Sequence, residues 1–498
     1  MSTADLRAEL TQLDAQICEL KRALVATECQ RAVVHQQLRE IATSPFLTLP
    51  AEITALIFTH CLPTIDKLRN SGPWTKFKDP PLVFLAVCRA WRDIALTTPD
   101  LWSELRLRFD HIPQDEEPAH LETHIHQWLG RAGHRPLSLI MGQYQWQYWD
   151  FDFPIARMRD IIHFYAPRIA CLELYWPRDH IRDLALDTVA FPMLRHACIT
   201  NIRRISSAGD PVEVFGMAPK LTQLTLGDMA LPSFYVFPAF QFTKFQGHLD
   251  GLELFVLAPN LIEADCRTDE DCRVPSSPIT HARLQSLTLS SPRGDPHRVL
   301  EPRDILPYLN LPELRTLDIS AQRTTANPTS ISQFVHRSGA RLRTLVLAVK
   351  YYHAQPQGAS DEWKDCLGRL RNTLQHLIVS PSEAFFKMIL RSYLTLESLT
   401  IYEAPQIPYD DLIRQLILRI PHLKSFHISF QAGVFLEDEV SIAMPMFVDR
   451  PKDTARSFLA QLAKNAGMRI QIDSNGSKKT NRVKLIGSTQ SRGTNPDA

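Results

Sequence analysis

Nowhere in the 498 residues do eighteen uncharged apolar residues run together, so no transmembrane helix is expected. The first ten residues, MSTADLRAEL, carry charge and no apolar run, and no signal peptide is expected either. Net charge is also nearly absent. Lysines and arginines (55) balance aspartates and glutamates (54), leaving no whole-chain field to draw nucleic acid, an anionic membrane or an acidic substrate. The nine cysteines are an odd number with no CxxC pair, which argues against a disulfide framework and a structural zinc site. A reducing compartment, cytoplasmic and/or nuclear, is therefore expected. Catalytic signatures are missing as well: there is no GxSxG elbow, no GxxxxGKS/T loop, no GxGxxG and no HExxH. No catalytic residue, cofactor or metal is assigned, and the chain reads as non-catalytic.

What is present is a composition of globular type, 44% apolar and 22% charged, and one informative stretch from Phe46 to Leu105. In its first part Leu47, Leu49, Ile53, Leu56, Ile57 and Cys61 recur at helical spacing, with Pro50 suited to a helix start. This predicts a short amphipathic helix over Ala51–Leu62, with Leu49, Ile53 and Ile57 readable as ordinary helix core. Pro63 to Pro81 carries four prolines together with Asn70, Ser71 and Gly72, the chemistry of a connection. From Leu82 through Leu85, Cys88, Trp91 and Ala95 a helical pattern resumes, and Thr98 and Pro99 stop it.

LPAEITALIF, then VCRAWRDIA, then TPDLW, in that order within sixty residues, resembles the F-box. The proline-rich insertion and terminal TPxLW are similar to F-box proteins of mushroom-forming fungi. The resemblance implies docking on the Skp-type adaptor of a cullin-RING ubiquitin ligase, with the rest of the chain selecting the protein to be ubiquitylated. By it Leu49, Pro50, Ile53, Ile57, Leu85, Val87, Cys88, Trp91 and Arg92, with Leu47 beside them, fall on positions that pack at or beneath the adaptor interface. The spacer is longer than in the compact motif.

Before this stretch, Leu6, Leu10, Leu13, Ile17, Leu20 and Leu24, then Val34, Leu38 and Ile41, follow a four-three alternation, with Thr27 and Arg31 in the same stripe. This predicts an amphipathic helix over residues 1–44. It either self-associates through residues 6–41 as a coiled coil or folds back on its own chain. After it come an F-box-like domain at 45–105 and a linking region at 106–165. In the latter, ELRLRF and RPLSLIM read as strands with a mixed segment between them. His111, His120, His124 and His126 lie in that segment and are set aside as metal ligands, because HIHQ lacks helical His-x3-His or HExxH geometry and no cysteine or carboxylate completes a set. The aromatic run Tyr144–Phe153 suits a ligand grip or a core edge.

From about residue 166 a unit of the form L-x-x-L-x-L repeats: APRIACLELYW, FPMLRHACIT, APKLTQLTLGD, APNLIEADC, HARLQSLTLSS, LPELRTLDIS, GARLRTLVLAV, RNTLQHLIVS, LTLESLTIYE and IPHLKSFHIS, with FQFTKFQGHL a degenerate candidate. The mean spacing is about 28 residues, inside the leucine-rich-repeat range, and the irregular steps without the consensus asparagine resemble the F-box type of that repeat. The expected fold is thus α/β: an N-terminal helix, a small all-α F-box domain, and a leucine-rich-repeat solenoid with a parallel sheet over 166–472. LDGLELFVLAPN and SISQFVHRSGA look like covering helices. TARSFLAQLAKNAGMRIQI reads as a helix, a glycine stop and a capping strand, and 473–498 as a disordered tail.

The inner face of such a sheet usually binds partners, and the projected target-binding residues are Gln223, Thr225, Gln285, Thr288, Asp318, Ser320, Thr400, Tyr402 and His427. The acidic insertion Arg267–Ser277 reads as a solvated loop. Two functions follow. In the first, the chain is the substrate-recognition subunit of a Skp-cullin-F-box ligase, holding adaptor, cullin and an unknown protein substrate together. In the second, it is a non-ligase scaffold using its coiled coil and repeats.

Overall fold

The computed structural model describes residues 3–41, 49–62, 80–108, 118–142, 155–200, 210–227, 230–268, 272–290, 304–320, 328–347, 361–379, 389, 395–402, 425–431, 469–475 and 481–485. Leu47, most of the proline-rich connection, His111, the aromatic run Tyr144–Phe153 and the C-terminal helix expected before Gly467 lie outside these residues. The chain divides into two compact units: Met1–Leu105 with Thr123–Arg135, and Arg106–Glu122 with Pro136–Ala498.

The first unit is helical. It contains α1 (Thr3–Ile41), α2 (Ala51–Cys61), α3 (Leu82–Val87), α4 (Arg89–Thr97) and the later part of α5 (Pro118–Arg131). The pattern from Leu82 to Ala95 is interrupted at Cys88, whose backbone is extended (φ −157°, ψ 172°). Cys88 caps α4 instead, its Sγ accepting the Trp91 N–H at 3.4 Å. A helix N-terminus leaves backbone donors without intrahelical acceptors, and this contact satisfies one of them.

Trp102, at the end of the TPDLW turn, is fully buried. Its indole N–H donates to the Ala95 carbonyl at 2.8 Å, Trp128 meets its ring edge-on at 4.9 Å, and the Arg131 guanidinium lies 4.6 Å above it. Trp128 in turn donates to the Glu104 carbonyl at 3.0 Å, and Arg135 pairs with Asp100 at 2.9 Å. These contacts explain why Thr123–Arg135 belongs to this unit. Its mixed composition predicts a linking segment, but Pro118–Arg131 forms a helix.

The second unit is built on strands. In chain order they are β1 (Glu104–Arg108, crossing the division), β2 (Leu137–Gly142), β3 (Ile169–Tyr175), β4 (His196–Thr200), β5 (Val212–Glu213), β6 (Gln223–Leu226), β7 (Tyr235–Val236), β8 (Lys244–His248), β9 (Glu263–Arg267) and β10 (Ile279–Thr280). There follow β11 (Ser286–Ser290), β12 (Leu309–Asn310), β13 (Thr316–Ser320), β14 (Thr344–Leu347), β15 (His376–Val379), β16 (Ser398–Tyr402), β17 (Ser425–Gln431), β18 (Arg469–Asn475) and β19 (Asn481–Leu485). One open 15-stranded sheet runs β1-β2-β3-β4-β6-β8-β9-β11-β13-β14-β15-β16-β17-β18-β19, with β5–β7 and β10–β12 as separate small pairs. The molecule is mixed α/β, and the pairings from β2 to β18 are parallel.

The register follows the repeat. One row reads Leu172, Ala197, Leu224, Phe245, Ala264, Leu287, Leu317, Leu345, Leu377 and Leu399 across successive strands. These ten side chains are buried. The apolar residue three positions before each row member (Ile169, Leu194, Leu221, Phe242, Leu261, Leu284, Leu314, Leu342, Leu374 and Leu396) is buried too. Between the two rows, a carbonyl of one unit accepts paired N–H groups of the next: Thr243 serves Ile262 and Glu263, Ile262 serves Gln285 and Ser286, and Gln285 serves Arg315 and Thr316. The degenerate candidate at 240 is therefore a full member, with Phe242 and Phe245 in place of leucine. Helices between the strands include α6 (Ile155–Tyr165), α7 (Arg178–Asp183), α8 (Leu254–Leu257), α9 (Pro328–Ser338) and α10 (Asp361–Leu370).

Two expectations are corrected. The parallel ladder starts at Leu137 rather than near 166, because LSLIMG is buried at five of its six positions and has no L-x-x-L-x-L spacing by which to recognise it. The tail is not wholly without structure. Asp473–Asn475 complete β18, and β19 returns antiparallel along it, pairing Ile472 with Val483 and Ile470 with Leu485. RVKL alternates apolar and basic residues, which suits an edge strand, although its composition alone suggests disorder.

Candidate functional site

The α2 helix is inverted relative to its apolar pattern. Its buried side chains are Thr54 and Phe58, while the stripe that periodicity selects stays in solvent: Leu49 is 37% exposed, Ile53 45% and Leu56 55%. Phe58 stacks on Phe84 at 4.1 Å with rings 7° from parallel and meets Trp91 edge-on at 4.9 Å. Leu49 and Ile53 are thus not helix core, as the plain reading of the pattern had it, and Ile57 is half-buried. The aromatic trio fills the small interior, which displaces the aliphatic stripe outward.

The remaining projected adaptor residues separate into roles. Val87 is exposed at 54%, as is Pro50, and Leu85 is half-buried. Cys88 caps α4. Trp91 belongs to the interior cluster, and Arg92 donates from Nε to the Leu85 carbonyl at 2.8 Å, tying α4 to α3. The exposed group suited to touching a partner is therefore Leu49, Ile53, Leu56 and Val87, and Leu56 joins it from outside the projected set.

On the second unit, the sheet face opposite the leucine row carries the projected target-binding positions. Register sets Thr225, Gln246, Asp265, Thr288, Asp318, Val346, Ile378 and Thr400 in one line, with the His427 backbone continuing it. Gln246 donates to Asp265 at 3.0 Å. A neighbouring line holds Gln223, Lys244, Glu263 and Ser286, with Lys244 and Glu263 paired at 2.9 Å. Gln285 is corrected: it sits one residue before β11, in the row whose carbonyls bridge successive units, and Ser286 occupies the position equivalent to Gln223. Ser320 and Tyr402 end their strands; their side chains and that of His427 lie outside the described residues.

The N-terminal part of this face gathers residues that the sequence reading left unassigned. Cys171, Glu173 and Tyr175 alternate onto it from β3, and His196, Cys198 and Thr200 from β4, in register Cys171↔His196, Glu173↔Cys198 and Tyr175↔Thr200. Cys171 Sγ lies 3.4 Å from His196 Nδ1, and His196 Nε2 lies 3.2 Å from Thr225 Oγ1. The Tyr175 hydroxyl donates to Glu173 at 2.9 Å, and Glu173 is fully buried. Cysteine and histidine are 25 residues apart in the chain, so no spacing motif marks them. The signal that finds them is the repeat register itself, which aligns ACLELY with HACIT.

The helix over 118–131 sets His120 and His124 one turn apart, the His-x3-His spacing not credited in the sequence. Both are exposed, and among the described residues no metal-ligand group includes them. Among the described residues no helix is long and apolar enough to cross a membrane. No protein-family model matches the chain, and no curated protein matches it.

Proposed function

We propose that the chain is the substrate-recognition subunit of a Skp-cullin-F-box type ubiquitin ligase, its F-box-like unit docking on a Skp-type adaptor and its leucine-rich-repeat sheet holding a protein target. The observation that carries the reading is the inverted α2 helix. Leu49, Ile53 and Leu56 stand in water while Thr54 is buried, and an apolar stripe left exposed on a well-packed helix marks a partner surface. The ordered LPxEI, CRxWR and TPxLW elements name the partner by resemblance. The parallel ladder supports the second half, offering on its strands a long line that mixes threonine and glutamine with Asp265, Asp318, Val346 and Ile378. In such a complex the contribution is proximity: a target lysine held near a conjugating enzyme that another subunit recruits.

The test is capture by a purified Skp-type adaptor, comparing wild type with Ile53→Asp/Leu56→Asp. These side chains are exposed, so the double variant keeps its fold while losing the adaptor. Failure of wild type to bind, or equal binding by the folded variant, overturns the reading.

A second reading has its own observation. Leu6, Leu10, Leu13, Ile17, Leu20 and Leu24 all lie exposed along α1, and a heptad seam of this length suits pairing with a second copy. Self-association and adaptor binding are compatible. If only the former occurs, the chain is a scaffold. Light scattering of wild type against Leu13→Asp/Leu20→Asp separates the cases, with a dimer expected to become a monomer.

A further inference from the structure

We propose that Cys171, Glu173 and His196 form a binding site for a late first-row divalent metal, zinc being the natural occupant, on the sheet face of β3 and β4. Their ligand atoms all lie within 4.8 Å of one another. A tetrahedral zinc with a thiolate at about 2.3 Å and an imidazole nitrogen at about 2.0–2.1 Å sets sulfur and nitrogen roughly 3.5 Å apart. The Cys171 Sγ to His196 Nδ1 distance is 3.4 Å, so the two strongest ligands need almost no rearrangement. One sulfur, one nitrogen and one carboxylate make a borderline-soft donor set that selects zinc over magnesium or calcium. Three protein ligands leave the fourth position to water or to a group from a bound partner.

The surroundings are those of a built site. Metal-ligating histidines almost always donate their second ring N–H to a fixed acceptor. With Nδ1 facing the metal, His196 Nε2–H donates to Thr225 Oγ1 at 3.2 Å, which settles both tautomer and ring plane. The carboxylate is likewise oriented, by the Tyr175 hydroxyl at 2.9 Å. Glu173 is fully buried. All five side chains, Cys171, Glu173, Tyr175, His196 and Thr225, stand on the adjacent parallel strands β3, β4 and β6, whose opposite face is the leucine row. Neither strand carries a metal motif of its own; the site exists only through the register of β3, β4 and β6.

Cobalt(II) titration of the full chain, freed of metal by chelation, tests the assignment. One equivalent is expected to bind, with a thiolate-to-cobalt charge-transfer band in the near ultraviolet and the intense visible bands of a tetrahedral ion, both abolished by stoichiometric zinc. Cys171→Ser and His196→Ala should each remove the charge-transfer band, whereas Cys61→Ser, at an exposed thiol, should leave it intact. Thr225→Val and Tyr175→Phe keep the three ligands and should weaken binding by about 10- to 100-fold. Circular dichroism verifies that each variant is folded; should Cys171→Ser fail to fold, the two conservative variants still decide the matter. Absence of a saturable band in wild type, or a band that survives in folded Cys171→Ser or His196→Ala, overturns the proposal. So does unchanged affinity in both conservative variants.

Discussion

If α2 truly turns its aliphatic stripe outward, Phe58→Ala and Ile53→Ala should differ by orders of magnitude in their effect on stability. Phe58 is 1% exposed. Its burial is worth about 1.5–3 kcal/mol, and its two ring contacts, with Phe84 and Trp91, add about 0.5–1.5 kcal/mol each. These contributions bracket the about 3–5 kcal/mol usual for a buried Phe→Ala change. Ile53 is 45% exposed, and a surface truncation of that kind stays within about 0.5 kcal/mol. Because the chain has two units, global unfolding does not isolate the effect. Hydrogen–deuterium exchange over residues 51–97 does. Phe58→Ala should accelerate exchange there by roughly two to four orders of magnitude, or unfold the segment outright, while Ile53→Ala and Leu56→Ala change it by less than about threefold. Equal acceleration by Ile53→Ala would mean that the stripe is core after all, and the adaptor reading would lose its main support.

Other outcomes follow from single contacts. Trp102→Phe removes the indole donor to the Ala95 carbonyl while keeping a ring beneath Arg131; a loss of about 0.5–1.5 kcal/mol is expected, against about 3–5 kcal/mol for Trp102→Ala, both read by urea denaturation followed at the first unit's exchange-protected amides. Gly142→Ala should weaken β2, because the backbone there has φ +149° and an added Cβ would overlap the Tyr175 carbonyl and Cβ; the expected sign is a lower melting temperature with exchange accelerated in β2 and β3. Burial pushes the Cys366 thiol up to about 12 from an ordinary value near 9. The folded state therefore holds a proton that the unfolded state releases, so the stabilisation is complete below about pH 9 and falls by up to about 1.4 kcal/mol per pH unit between 9 and 12. Urea midpoints of wild type and Cys366→Ala across that window should converge as pH rises, after a common baseline is subtracted.

The repeat architecture was legible because L-x-x-L-x-L writes its geometry directly: the second and third apolar positions alternate, as a strand must, and the first enters the core before the strand begins. That rule located β8 from a degenerate unit with phenylalanines at both key positions. It failed at β2, where both faces are apolar and alternation disappears, and at Gln285, where a one-residue offset moves a side chain from the open face into the bridging row. In α2 the sequence left two readings open, helix core or exposed contact, for a different reason. Periodicity identifies an apolar stripe but not the direction it faces, and three aromatics from α2, α3 and α4 outcompete the aliphatic stripe for a small interior.

The same limit explains why the Cys171, Glu173 and His196 group could not be read from spacing. Helical metal motifs put ligands three or four residues apart in one element, whereas a parallel ladder puts them one repeat apart in neighbouring elements, at a separation set by whatever helix or loop intervenes. Step lengths in this chain are irregular, so no fixed offset exists to search for. What is invariant is the register, in which Cys171 faces His196 and His196 faces Gln223, with Thr225 one open-face position further along β6. Functional sites on such a sheet are therefore best sought by stacking the repeat units and reading down the open-face columns. In this protein that reading places the Cys171, Glu173 and His196 group on β3 and β4 and a mixed line of Asp265, Thr288, Asp318, Val346 and Ile378 further along the sheet.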